Sequence, residues 1–161
     1  MAYDIDVQVQ LAAELPLARL REAATWVLAD QNTAPGTGLS IVITDDASVQ
    51  ALNKQFRAVD APTDVLSFPA DPVPPEIAGE DSPYLGDLVL ALPYIQRQAE
   101  AEGHALVDEL VLAVVHGTLH LLGYDHADTA TQNAMWTVQA RALAALGVAI
   151  TVPLFSFDDD E

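Results

Sequence analysis

The stretch "HGTLHLLGYDH", His116 to His126, contains three of the four histidines in the 161-residue chain. It closes the apolar segment "ELVLAVVHGTLHLLG", which predicts a buried helix. An imidazole on an apolar face needs a partner, because burying an unpaired polar group costs roughly 2–7 kcal/mol. The clustered histidines therefore predict a specific interaction at the end of this helix.

The spacing of the histidines is suited to a metal ion. His116 and His120 are four residues apart, so their side chains share one face of a helix. Two imidazoles placed in this way can bind one zinc ion at Zn–N distances of about 2.0–2.1 Å. Gly123 can end the helix and turn the chain back, which would let His126 return as a third ligand and leave a fourth position for water. The alternative is that each histidine is a core residue with its own hydrogen-bond partner.

The pattern H-x-x-x-H-x-x-G-x-x-H is also that of the metzincin proteases, which predicts a zincin-like metal-site helix. In those proteases the general-base Glu follows the first His, whereas this chain has Gly117 there. The missing glutamate argues against a protease but does not affect the prediction of a metal site. His104 is expected to be a surface residue, and Met135 a core residue.

Composition restricts the class of protein further. The chain has 24 acidic residues against 6 Lys plus Arg, a net charge of -18, which predicts solubility and repulsion of polyanions. The absence of cysteine excludes disulfides and thiolate metal sites. The N-terminus does not resemble a signal peptide, and the longest apolar run is short for a membrane span. We therefore expect a soluble, cytoplasmic protein with no membrane or DNA partner.

The order of the remaining elements predicts an α+β fold. Alternating or β-branched runs predict strands over residues 5–10, 39–44, 64–69 and 85–91. Helical spacing and capping signals predict helices over about 16–30, from 45 or 46 onward with an apolar stripe of Val49, Leu52 and Phe56, and over about 93–103, 105–122 and 128–146. This order predicts a mixed four-stranded sheet layered against helices, in one domain over residues 1–152. Residues 71–83 are expected to form a surface loop, and residues 153–161 an acidic tail.

Taken together, the motifs resemble the YbeY family, bacterial and organellar endoribonucleases of ribosomal RNA maturation. Two further stretches carry the resemblance: "LNKQFRAVDAPTDVLSFP" (Leu52 to Pro69) and "YLGDLVLA" (Tyr84 to Ala91). With the order of elements, the resemblance covers nearly the whole chain. It implies one zinc ion held by His116, His120 and His126.

The resemblance also implies the activity and the partners. The implied activity is metal-dependent cleavage of single-stranded RNA, in processing of the 16S ribosomal RNA 3′ end and in ribosome quality control. The implied partners are the small ribosomal subunit, with its proteins, and assembly factors that include GTPases. Two alternatives stay open: a non-catalytic assembly factor with a structural zinc, and a zinc hydrolase acting on peptides or small molecules.

Two residues are the catalytic candidates. The resemblance implies an important arginine at Arg57, which could hold a phosphate bidentately; the alternative is a surface arginine paired with Asp60 or Asp64. Asp87 could act as a base or orient a ligand, or it could cap a turn.

Two residues beside the third histidine, Tyr124 and Asp125, could orient a histidine or the substrate, or serve the turn itself. Only Lys54, Arg57 and Arg97 lie in segments near the expected RNA-binding cleft. We therefore expect weak binding of free RNA with an unusually shallow or inverted salt dependence.

Overall fold

The computed structural model describes residues 3–70, 84–124 and 128–150. The elements are β1 (Asp4–Val9), α1 (Leu17–Asp30), β2 (Gly38–Thr44), α2 (Asp46–Arg57), β3 (Val65–Pro69), β4 (Tyr84–Ala91), α3 (Leu92–Glu102), α4 (Leu106–Leu121) and α5 (Thr129–Ala145). In the described part of the chain, the four strands and five helices expected from the sequence are confirmed, and their ends differ by a few residues at most. The loop expected over 71–83 and the tail expected over 153–161 lie outside the described residues.

The four strands form one mixed sheet in the order β1-β2-β4-β3. Strands β1, β2 and β4 are parallel, and β3 runs antiparallel to β4 at the edge. Asp64 O accepts a hydrogen bond from Ala91 N at 2.9 Å, and Ala70 N donates to Leu85 O at 2.8 Å. Because the peptide groups of a strand point alternately to its two sides, the peptide of Ser67 faces the outer edge of β3.

The two faces of the sheet carry different helices. On β4, Leu88 and Leu90 belong to the main core, which α1, α4 and α5 complete. Val89 and Ala91 point to the opposite face, where they pack with Val49 of α2 in a smaller cluster. This division follows from the alternation of side chains along a strand, and it assigns residues 87–91 of β4 to alternate sides of the sheet.

Helix α2 begins where its sequence predicts, but one residue of its apolar stripe was wrongly predicted. The Asp45 side chain accepts a hydrogen bond from Ser48 N at 2.7 Å and caps the helix. Val49 is fully buried, whereas Phe56 keeps 59% of its surface exposed. The reason is the position of the last turn of α2 over the edge strand β3, where Phe68 is the ring that Phe56 contacts.

No single helix in the described ranges has both the length and the hydropathy to cross a bilayer. Helices α3 and α4 meet those criteria only as a pair, and the chain bends by 117° between them.

Candidate active site

Helix α4 brings His116 and His120 together on one half-buried face. Their Nε2 atoms are 3.1 Å apart, and their ring centroids are 4.6 Å apart. Two ligands of a tetrahedral zinc ion, each at 2.0–2.1 Å, are separated by about 3.3–3.4 Å. The two nitrogens are thus within hydrogen-bonding distance of each other and also at nearly the spacing that a shared zinc ion requires.

Gln139 of α5 fixes the tautomer of His116. Its Oε1 lies 3.0 Å from His116 Nδ1, and its side chain is only 2% exposed. An amide oxygen can only accept a hydrogen bond, so Nδ1 carries the proton and Nε2 presents a lone pair toward His120. Partners of this kind orient metal-binding histidines and raise their basicity. The Trp136 ring, centred 6.1 Å from that of His116, forms a further wall of the site.

Gly117 lets α4, the helix that carries the two histidines and is called the histidine helix below, lie close to the sheet. A Cβ atom at this position would come within 2.8 Å of Leu88 Cδ2 and 3.3 Å of Val65 Cγ2. Glycine in a helix interior costs about 1 kcal/mol relative to alanine, and here the close approach to the sheet explains it. A glutamate at position 117 would be directed into the sheet, so this helix could not supply the general base of a metzincin protease from that residue.

The helix ends immediately after His120 in a Schellman motif. Gly123 N donates to His120 O at 3.0 Å, Tyr124 N donates to Leu119 O at 3.1 Å, and Gly123 has a φ of 105°. The predicted helix end at Gly123 is confirmed. His126, the third expected ligand, lies outside the described residues, and within those residues no three His, Cys, Asp or Glu side chains form a possible metal site.

Arg57 reaches the edge of the sheet beside the histidine helix. Its Nη2 donates to Ser67 O at 2.8 Å, and the Ser67 hydroxyl donates to Gly117 O at 3.3 Å. Ser67 therefore connects the last residue of α2 to the turn of α4 between the two histidines. The alternative partners proposed from the sequence are engaged elsewhere, since Asp60 pairs with Lys54 at 3.9 Å.

Asp64, the other alternative partner of Arg57, belongs to the start of β3. Its Oδ1 accepts hydrogen bonds from Val65 N at 2.7 Å and from Thr63 Oγ1 at 3.3 Å. Burial raises the pKa of the Asp64 carboxyl above its usual value, and these hydrogen bonds oppose the rise. The group is a structural carboxyl within the fold.

Arg57 also differs from most basic residues of the chain in its ion pairing. Four of the six basic residues form ion pairs with carboxylates: Arg19, Lys54, Arg97 and Arg141. Among the described residues, neither Arg57 nor Arg21 forms one. In a chain of net charge -18, Arg57 is therefore a cation with no described carboxylate partner beside the histidine helix.

Asp87 lies on the other face of the sheet from α4. It pairs across the strands with Phe68 and Ser40, and it accepts a hydrogen bond from the Tyr84 hydroxyl, whose oxygen also lies 2.8 Å from Ser40 Oγ and can accept from it. Its neighbour Leu88 points to the α4 face. The structure thus places Asp87 with the aromatic residues on the α2 side and not beside the histidine nitrogens.

The remaining candidate residues that are described contact other parts of the fold. The Tyr124 hydroxyl donates to Gln31 Oε1 at 2.8 Å and ties the end of α4 to α1, while Asp125 lies outside the described residues. Met135 is fully buried, as predicted. His104, expected at the surface, is half-buried and pairs with the buried Glu109.

Two contacts beside the histidines, those of Gln139 and Ser67, were not predicted from the sequence. Nothing in the pattern of α5 distinguishes Gln139 from a surface glutamine except its place among the buried positions of that helix. Ser67 carried no signal either, because its contacts join segments 10 and 50 residues away.

Comparison with known proteins identifies the family and the fold. The family model "Endoribonuclease YbeY" matches residues 6–147. Curated proteins of that name are similar over most of their length: 43% identity to the one from Gloeobacter violaceus (92% of this chain, 78% of the relative) and 42% to the one from Roseiflexus castenholzii (89% and 91%). The solution structure of TM1509 from Thermotoga maritima has the same fold, with a TM-score of 0.61 at 23% identity over 88% of each chain.

Proposed function

The chain belongs to the YbeY family of endoribonucleases, and on that premise we propose that it is a zinc-dependent enzyme that cuts single-stranded ribosomal RNA. Membership makes the protein an enzyme, a hydrolase of RNA. The finer assignment, processing of the 16S ribosomal RNA 3′ end and ribosome quality control in the cytoplasm, is our proposal. The observation that carries the metal part is the approach of His116 Nε2 and His120 Nε2 to 3.1 Å.

The proposed ligands are His116, His120 and His126. Zinc suits a set of neutral imidazoles, and three of them leave a position for water or substrate. When bound, such an ion lowers the pKa of its water and polarises a phosphoryl oxygen. The chain's own contribution is orientation: Gln139 holds His116 in the tautomer with a free Nε2, and Gly117 sets the depth of the helix against the sheet.

Arg57 is the proposed phosphate-binding residue. A guanidinium can donate two parallel hydrogen bonds to a phosphate and stabilise the charge that develops during cleavage. One of its nitrogens is anchored on Ser67 O, which leaves its other N–H groups for a ligand. Arg57→Glu should abolish cleavage while folding and zinc content stay normal.

For Asp87 we propose a supporting role in catalysis. Its contacts with Tyr84 and its pairing with Phe68 place it on the α2 face, so it would act by holding the aromatic residues next to Arg57.

A docked ribosomal partner fits the charge of the chain. With a net charge of -18, the protein has little long-range attraction for RNA. We propose that the small ribosomal subunit and its assembly factors supply positive charge around the substrate, and that neither DNA nor a membrane is a partner.

The test is cleavage of a labelled single-stranded RNA by zinc-loaded protein, metal-stripped protein and the His116→Ala variant. The proposal predicts cleavage only by the first. Equal cleavage by metal-stripped protein would refute it. A peptide substrate serves as the control for the alternative hydrolase; family membership and the packing of Gly117 against Leu88 both argue against that alternative.

A further inference from the structure

Phe56 is an aromatic side chain placed in solvent next to the proposed site. It is 59% exposed, and with Tyr84 it is one of the two exposed large apolar side chains among the described residues. The edge of one ring faces the other in the Phe56–Phe68 pair, with centroids 5.3 Å apart and planes at 68°. This contact supports the Phe56 ring from one side and leaves ring surface open to a ligand.

A cation lies directly beside this aromatic pair. The Arg57 guanidinium is 6.0 Å from the centre of the Phe68 ring, and the described residues give it no carboxylate partner. An exposed ring next to a guanidinium that no described carboxylate pairs with is suited to single-stranded RNA, because the ring can stack on a base while the cation contacts a phosphate.

The Phe56–Phe68 pair is connected to the histidine helix through Ser67. Phe68 follows Ser67, whose carbonyl accepts from Arg57 and whose hydroxyl donates to Gly117 between the two histidines. An RNA strand whose phosphate rests on Arg57 therefore has the Phe56 ring within reach of a neighbouring base.

The composition of the chain gives such a contact particular weight. Phosphate contacts dominate the affinity of most RNA-binding proteins, yet here four of six basic residues are held in ion pairs. Stacking on an aromatic ring does not depend on the net charge of the protein. In an acidic ribonuclease, base stacking can therefore supply part of the RNA-binding free energy that Lys and Arg would otherwise supply.

From these observations, and resting on the proposed function, we infer that Phe56 is a base-stacking residue of the enzyme. It would bind one unpaired nucleobase of the substrate, with Phe68 supporting its ring and Arg57 holding the adjacent phosphate. The occupant is single-stranded RNA, since a duplex keeps its bases stacked internally.

The test uses three substitutions at one exposed position: Phe56→Ala, Phe56→Leu and Phe56→Tyr. Binding and cleavage of a labelled single-stranded RNA are measured for each and for the wild type. Alanine and leucine should both raise Kd and KM about tenfold with kcat nearly unchanged, and tyrosine should restore the wild-type values. A set of RNAs with one base removed at a time should lose affinity at a single position for the wild type and at none for Phe56→Ala.

Leucine is the matched control, because it keeps an apolar side chain and removes the aromatic face. Wild-type binding by Phe56→Leu would overturn the stacking inference, and so would unchanged RNA binding by all three variants, which would assign the patch to a protein partner. If the wild type binds and cuts RNA while the variants do so equally well, only this inference fails. If the wild type neither binds nor cuts single-stranded RNA, the proposed function fails with it.

Discussion

Replacement of Gln139 by leucine tests how the protein prepares His116 for a metal. The amide oxygen is the described partner of His116 Nδ1, at 3.0 Å, and the side chain is 2% exposed, so water cannot easily replace it. Leucine has a similar volume and no acceptor. The variant removes the acceptor of this N–H, at a cost of about 1–3 kcal/mol, or moves the proton to Nε2, where it occupies the ligand lone pair.

Either outcome weakens metal binding by a comparable amount. A loss of about 1–3 kcal/mol corresponds to roughly 10- to 100-fold in zinc affinity, which is the usual effect of removing such a partner. Zinc affinity is measured by competition with a chromophoric chelator, which needs no RNA and no turnover. Gln139→Glu keeps an acceptor oxygen and should bind zinc more tightly than the leucine variant.

Thr137→Ala is the control on the same helix, since Thr137 is exposed and, among the described residues, its hydroxyl donates to Asn133 O of its own helix. It should bind zinc like the wild type. Wild-type zinc affinity in Gln139→Leu, with the fold intact, would show that the His116–Gln139 contact does not prepare a metal ligand.

Three further outcomes follow from the packing and charges. Gly117→Ala should lower the free energy of unfolding by about 1–3 kcal/mol in urea titrations, because its methyl group collides with Leu88 Cδ2; wild-type stability would contradict the close approach. Hydrogen bonds from Thr131 lower the pKa of Asp128 in the folded state, so its contribution to stability is present above the unfolded pKa of about 3.9 and is lost as the pH falls through the folded value. Asp128→Asn should therefore flatten the loss of stability between neutral and acid pH, and an unchanged pH profile would contradict this. Finally, a contact of one or two phosphates predicts a slope of log K against log salt no steeper than about −1.4, and a steep slope would contradict the electrostatic account.

Local signals in the sequence were sufficient for the fold. The strands and helices each carry their own periodicity, and the end of α4 is marked by Gly123, whose φ of 105° suits glycine. The pair His116 and His120 could be placed on one face because helical spacing determines it. These features depend on residues within a few positions of one another.

The parts that could not be predicted depend on contacts between distant segments. Phe56 continues the apolar stripe of α2, and only the position of β3 at the sheet edge leaves it exposed. Asp87 was a candidate base in the sequence, but the alternation of β4 puts its side chain on the face away from α4. The partner of His116 is 23 residues away, on a different helix.

The central claim is that imidazole nitrogens at the end of α4 bind one zinc ion. X-ray absorption spectroscopy of the zinc-loaded protein measures their number and distance directly. We expect one zinc ion per chain with three imidazole nitrogens at about 2.0–2.1 Å and one further oxygen ligand, and one imidazole nitrogen fewer in His120→Ala. Zinc that binds at substoichiometric levels, or with a ligand shell that His116→Ala and His120→Ala leave unchanged, would contradict it.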